Sequence, residues 1–104
     1  MNRRTGATII VEGTFRTGYE RYFDDYSKKV SDFLKKYDTV VVRRQLITER
    51  LYGQGQPSLV MLIDFGDKEV AKRIFFEEEY ISIIPLRSKV FKAFKMYLAE
   101  AGDV

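Results

Sequence analysis

The sequence contains neither histidine nor cysteine. That excludes thiol nucleophiles, thiolate metal sites, disulfides and imidazole acid–base catalysis. A metal would need oxygen ligands alone, and no calcium-loop spacing of acids is present, so no metal is expected. Proton transfer falls to carboxylates and phenols. Three such groups sit in apolar surroundings: Glu12 in IIVEGTF, Asp64 in SLVMLIDF, and Tyr97 in VFKAFKMYLA. A carboxyl in an apolar enclosure rises in pKa and suits proton transfer. The plainer account of Glu12 is an ion-pair partner for Lys95 or for a basic residue of another chain.

Binding asks for a cation or hydroxyl at the edge of an apolar surface. Arg44, Lys95 and Tyr97 are the candidates to meet a carboxylate or carbonyl. Ile10, Val60, Leu62 and Phe91 are the candidate apolar lining. The helix tyrosines Tyr19, Tyr22 and Tyr26 read first as core, though a pocket between helix and sheet could use one hydroxyl as a donor, and Tyr26 is the candidate. Pairing Tyr52 with Ser58 in a hairpin would bring Arg44 close to Asp64. A charged pair there is either structural or an anchor for a polar ligand head. Arg87 caps carbonyls of the preceding segment, pairs with a nearby acid, or binds a carboxylate.

These groups need elements to place them. The residues 7–16 (ATIIVEGTFR) read as a first strand, with Ile9, Val11, Gly13 and Phe15 on a core face and Thr8, Ile10, Glu12 and Thr14 on the other. Thr17-Gly18-Tyr19-Glu20 matches a capping box. A helix then runs to about Tyr37 on a stripe of Tyr19, Tyr22, Phe23, Tyr26, Val30, Phe33, Leu34 and Tyr37. A long strand is expected from Thr39 to Tyr52, and a third strand from Ser58 to Phe65 follows the Gly-Gln-Gly-Gln-Pro loop. Leu59, Met61, Ile63 and Phe65 form its core face. Asp67 caps a second helix whose buried stripe is Val70, Ala71, Ile74 and Phe75. The acids 77–79 read as a solvated corner. Tyr80 to Ile84 continues as a helical segment that Pro85 ends, and Val90 to Ala99 is the last strand.

The chain has 104 residues, which fits one domain over 1–104 with tails at 1–6 and 100–104. At 45% hydrophobic and 32% charged, it has the apolar content to build a core. A net charge of +3 with interspersed acids does not point to nucleic acid. No apolar run is long enough to span a bilayer, and the N-terminus makes a poor signal peptide, so a cytoplasmic protein without membrane partners is expected. The order β-α-β-β-α-β predicts an α+β, ferredoxin-like, four-stranded antiparallel sheet with strands one and three central and both helices on one face. The other face, carrying Ile10, Val60 and Leu62, would then be bare. A second copy is the economical cover, giving a homodimer whose two sheets enclose a barrel.

Several stretches together resemble an uncharacterised family of the dimeric α+β barrel superfamily. They are the helix from Tyr19-Glu20-Arg21-Tyr22 to Tyr37, the strand ending Ile63-Asp64-Phe65, Ala71, and Glu79-Tyr80 followed by Pro85-Leu86-Arg87. The chain departs from that pattern at Asp38-Thr39, Gln45 and Tyr52, where the family usually carries a glycine pair, a glycine and a glutamate. The resemblance implies a ferredoxin-like homodimer with face-to-face sheets. Superfamily relatives include cofactor-independent monooxygenases of aromatic substrates, isomerases of the muconolactone type and haem-degrading proteins.

The expectation is a protein that binds a small, mostly apolar, fatty-acid-like or aromatic ligand between sheet and helices or inside the barrel. No cofactor is called for. The alternatives are a cofactor-independent monooxygenase or isomerase acting through Glu12, Asp64 and Tyr97, and an interaction module with a filled barrel.

Overall fold

The computed structural model describes residues 6–101. The expected tails lie outside these residues except for Gly6, Glu100 and Ala101. Among the described residues the elements are β1 (Ala7–Phe15), α1 (Glu20–Leu34), β2 (Thr39–Leu46), β3 (Leu59–Phe65), α2 (Lys68–Arg73), a 3-10 turn (Ile74–Phe76), α3 (Glu78–Ile81), α4 (Ile84–Val90) and β4 (Phe91–Ala99). Every strand pair is antiparallel and the sheet order is β2-β3-β1-β4. β1 and β3 are central, as the order of elements predicts, and the fold is ferredoxin-like.

Alternation decides what is buried. Ile9 and Val11 of β1 and Leu59, Ile63 and Phe65 of β3 enter the core, while Thr8, Ile10, Glu12, Val60 and Leu62 stay half-buried on the opposite face. The stripe of α1 packs on the first set, with Phe33 completely buried and Tyr22, Phe23 and Val30 partly so. Asp67 caps α2 as expected, its carboxylate accepting the Glu69 N–H at 2.8 Å.

Element ends differ from expectation in four places. The capping box does not form: Gly18 turns the chain with φ 84°, and Tyr19 precedes α1 without a side-chain cap. The helix stops at Leu34, where the Thr39 hydroxyl and the Tyr37 N–H both bond the Leu34 carbonyl at 3.0 Å. Pro85 opens α4 rather than ending a segment, because its missing N–H is no loss in a first turn. β2 ends at Leu46. Beyond one further bond, Ile47 N–H to the Ser58 carbonyl at 2.8 Å, the chain to Pro57 is an irregular arm with Leu51 and Tyr52 89% and 98% exposed.

Two extra residues break the strict pairing. Val41 pairs with Ile63 but Arg43 with Leu62, so Val42 is a bulge in β2. Thr14 pairs with Ala93 but Phe15 with Phe91, so Lys92 is a bulge in β4. Each reverses which face the neighbouring side chains occupy.

Phe91 therefore lies in the core, stacked 5.5 Å from Phe15 and edge-on to Tyr26 at 5.6 Å. Its ring occupies the space above Gly13, where an added Cβ would stand 2.4 Å from Phe91 Cε1. Gly13→Ala is expected to lower the unfolding free energy by about 1–3 kcal/mol in urea denaturation. Combined with Phe91→Leu, it is expected to cost less than the sum of the two single changes, because the smaller side chain relieves the overlap.

Candidate functional site

The sheet separates the candidate residues onto two sides. On the helix-free face, register places Ile10 between Leu62 and Tyr97, and Glu12 between Val60 and Lys95. Glu12 and Lys95 form no ion pair despite lying side by side. Asp64 lies beside Thr8, whose hydroxyl donates to its carboxylate at 2.6 Å. Asp64, Lys95 and Tyr97 are exposed, Tyr97 at 48%, and no helix of the described residues covers this face.

Two residues expected on that face are on the other. Phe91 is turned into the core by the Lys92 bulge. Arg44 is turned by the Val42 bulge to pair with Met61, so it does not approach Asp64, which lies opposite Val40. Arg43 takes the position on the helix-free face, beside Leu62.

The displaced Arg44 meets Tyr26 in a cleft of about 180 Å³ between α1 and the edge strand β2. The cleft exists because α1 does not reach across the whole sheet: every residue of β2 but Thr39 is exposed. Phe23, Val30 and Leu34 of α1 form one wall, at the helical spacing that puts them on one face. Val41, Leu59 and Met61 of the sheet form the other. Ser27, Ser31, Lys35, Thr39 and Arg44 supply the polar groups.

Among the described residues no aspartate or glutamate lines this cleft. Arg44 makes no hydrogen bond or ion pair with any described residue. The Lys35 ammonium stands 4.0 Å from Asp32, a carboxylate already held by Lys28 at 2.9 Å. The Thr39 hydroxyl is committed to the Leu34 carbonyl. Tyr26 is 7% exposed and its hydroxyl has no partner among the described residues. Since no completely buried side-chain polar atom lacks a partner there, that hydroxyl is not sealed in, and Tyr26 lines the cleft. Burial first, then the neighbouring Tyr80, holds the Tyr26 phenol well above the usual tyrosine range, against the opposing pull of Arg87 and Arg44. It stays protonated and is a hydrogen-bond donor.

Of the expected ligand-binding residues, the cleft gathers Tyr26 and Arg44. Ile10, Val60, Leu62, Lys95 and Tyr97 share the helix-free face. Sequence reasoning missed Ser27, Ser31, Lys35, Val41 and Met61. Ser27, Ser31 and Lys35 follow one another at four-residue spacing along α1, Met61 was legible only as a core-face residue, and Val41 depended on the register of β2.

Among the described residues Arg87 neither caps carbonyls nor pairs with an acid. It donates to the Tyr80 hydroxyl at 3.1 Å and lies 4.5 Å over the Phe94 ring. Nor is the acidic corner merely solvated: Glu77 accepts the Tyr37 hydroxyl at 2.5 Å, and Glu79 holds Lys36 at 2.6 Å. Among the described residues no group of three or more acids could hold a metal, and no helix is long and apolar enough to cross a membrane.

A one-sided, four-stranded antiparallel sheet with a cleft under its first helix places the chain among the α+β, ferredoxin-like proteins. More narrowly, it belongs to a family described as a domain of unknown function (DUF1330), whose pattern matches residues 7–101. No curated protein matches the sequence. Among solved structures, it is similar to the RPA0582 protein of unknown function from Rhodopseudomonas palustris, at 10% identity over 98% of this chain and 86% of that one, TM-score 0.81. A dimeric protein of unknown function and ferredoxin-like fold from Bacteroides fragilis is 9% identical over 96% of this chain and all (100%) of that one, TM-score 0.66. SnoaB, a cofactor-independent oxygenase from Streptomyces nogalater, is 16% identical over 96% of each chain, TM-score 0.62. At these identities the likeness establishes the fold.

The two buried tyrosines are expected to respond differently to loss of their hydroxyls. Tyr26→Phe removes an unpartnered group and should leave stability within about 0.5 kcal/mol of the parent. Tyr80→Phe strips Arg87 of its hydrogen bond and should cost about 1 kcal/mol. Denaturant titration of the two variants side by side checks both values.

Proposed function

We propose that this chain is a homodimeric binding protein for a small, mostly apolar molecule with a polar end, held in the cleft between α1 and β2. The observation that carries the reading is the cleft itself: hydrocarbon walls, no acid, and an unpartnered phenol and guanidinium converging from opposite sides. Ligand sites are built this way, with apolar walls and a few placed polar groups that fix orientation. Its volume of about 180 Å³ compares with an engineered apolar cavity of about 150 Å³ that takes up benzene, so one six-membered ring or a short chain fits.

The dimer rests on the helix-free face. Ile10, Val60 and Leu62 form an apolar centre that a monomer would leave wet. Around it stand two acids, Glu12 and Asp64, and two bases, Arg43 and Lys95. A face with both signs can meet its own two-fold copy with opposite charges in register. The Bacteroides fragilis relative's dimeric state favours the same reading.

A second reading follows from that apposition. It would enclose Glu12, Asp64 and Tyr97 between two sheets, where a carboxylate can serve as a base and a phenol as an acid. Cofactor-independent oxygenation or isomerisation is the corresponding activity, in line with the SnoaB likeness. Oxygen uptake with phenolic substrates and no added cofactor, abolished by Glu12→Gln or Asp64→Asn, would establish it.

Native mass spectrometry tests the principal reading. The expected species is twice the 12.2 kDa chain mass, carrying a displaceable small molecule when isolated from cells. Leu62→Arg should give monomers with an unchanged circular dichroism spectrum. A stable monomer from the parent sequence would remove the dimer. A cleft that takes up no apolar probe in solution would remove the binding function and favour a filled interaction module.

A further inference from the structure

We infer that the polar end of the ligand is a carboxylate, bound by the Arg44 guanidinium at the mouth of the cleft with the Tyr26 hydroxyl as second donor. This rests on the binding reading above and names the ligand class that the same site takes. Arg44 is the only cation among the described residues lining the cleft that has no acid within ion-pair distance, since Lys35 retains Asp32. A carbonyl would accept hydrogen bonds there and leave the guanidinium charge uncompensated. A carboxylate answers both needs, because its two oxygens match the planar fork of arginine and can still accept from a phenol.

The surroundings select the same way. Tyr26, Lys35 and Arg44 are all donors, and Ser27 and Ser31 can donate as well. A ligand ending in an ammonium would meet two like charges. One ending in an alcohol or amide would use the donors but gain nothing from the charge. The hydrocarbon walls of Val30, Leu34, Leu59 and Met61 then take the apolar part of the acid.

The Val42 bulge decides which of the two adjacent arginines faces the cleft. A bulge interrupts the ladder and re-aims the side chains that follow it. Here it exchanges two adjacent arginines: Arg43 takes the helix-free face that carries Glu12 and Asp64, and Arg44 takes the cleft side, where no acid among the described residues lines the opening. Charge compensation is left to something outside the chain.

The test uses isosteric pairs, benzoate with benzamide and hexanoate with hexanamide, titrated into the full-length protein and followed by amide chemical shifts. Each acid is expected to bind about tenfold or more tightly than its amide, the difference of one charge-assisted contact. Arg44→Gln should remove that preference and leave amide affinity unchanged. Arg43→Gln, one residue away on the opposite face, should leave the preference intact. Both positions are exposed, so the variants are expected to fold, and circular dichroism confirms it. Acid and amide binding equally, or a preference that survives Arg44→Gln, overturns the carboxylate assignment while the apolar-binding reading stands. If neither member of any pair shifts the resonances of α1 and β2, the binding reading fails and takes the assignment with it.

Discussion

A pleated strand allows each side chain one of two faces, and a single inserted residue exchanges them for everything beyond it. This protein makes that exchange twice, at Val42 in β2 and Lys92 in β4. The second insertion drives Phe91 into the space above Gly13 and seats the aromatic cluster of Phe15, Tyr26 and Phe94 around it. The first sends Arg44 to the mouth of the cleft. The packing of the core and the chemistry of the cleft thus depend on two irregularities of strand pairing.

The sheet has helices on one side only, and this shapes both candidate sites. On the covered side, α1 packs over the central strands and leaves the edge strand β2 projecting past it. The gap between them is the cleft. On the uncovered side the central strands present Ile10, Val60 and Leu62 with no layer of their own. A chain of 104 residues has a high ratio of surface to core, so a half-buried apolar face of this kind is a large part of its apolar surface.

Much of the fold was legible because it follows from regular spacing. The stripe from Tyr22 to Leu34, the alternation of Leu59, Met61, Ile63 and Phe65, and the Asp67 cap each carry one period or one local hydrogen bond, which the sequence displays directly. What was not legible lies where the period breaks. Nothing in VVVRRQL says that Val42 rather than Val41 or Arg43 is the unpaired residue, since that depends on the fit against β3. The same holds for FKAF in β4. Thr17 and Pro85 misled for a related reason. Each residue type is compatible with two roles at a helix end, and tertiary contacts chose the one the local pattern did not favour. The Glu79-Tyr80 and Pro85-Leu86-Arg87 stretch, the most distinctive in the sequence, proves structural: Tyr80 is buried against Phe33 and Phe75, and Arg87 is folded back onto it.

β2 and β3 serve both sides at once. Val41, Arg44, Leu59 and Met61 line the cleft, while Arg43, Val60 and Leu62, interleaved with them, belong to the helix-free face. The two surfaces share one backbone ladder, one strand of which is an edge. An edge strand is held by hydrogen bonds on one side only, and β2 contributes few buried side chains to hold it further. Its register therefore rests mainly on its pairing with β3, with the Val42 bulge accommodated at one point. Keeping Arg44 at the cleft and Arg43 beside Leu62 is a single structural condition, and it ties the cleft side of the molecule to its helix-free face.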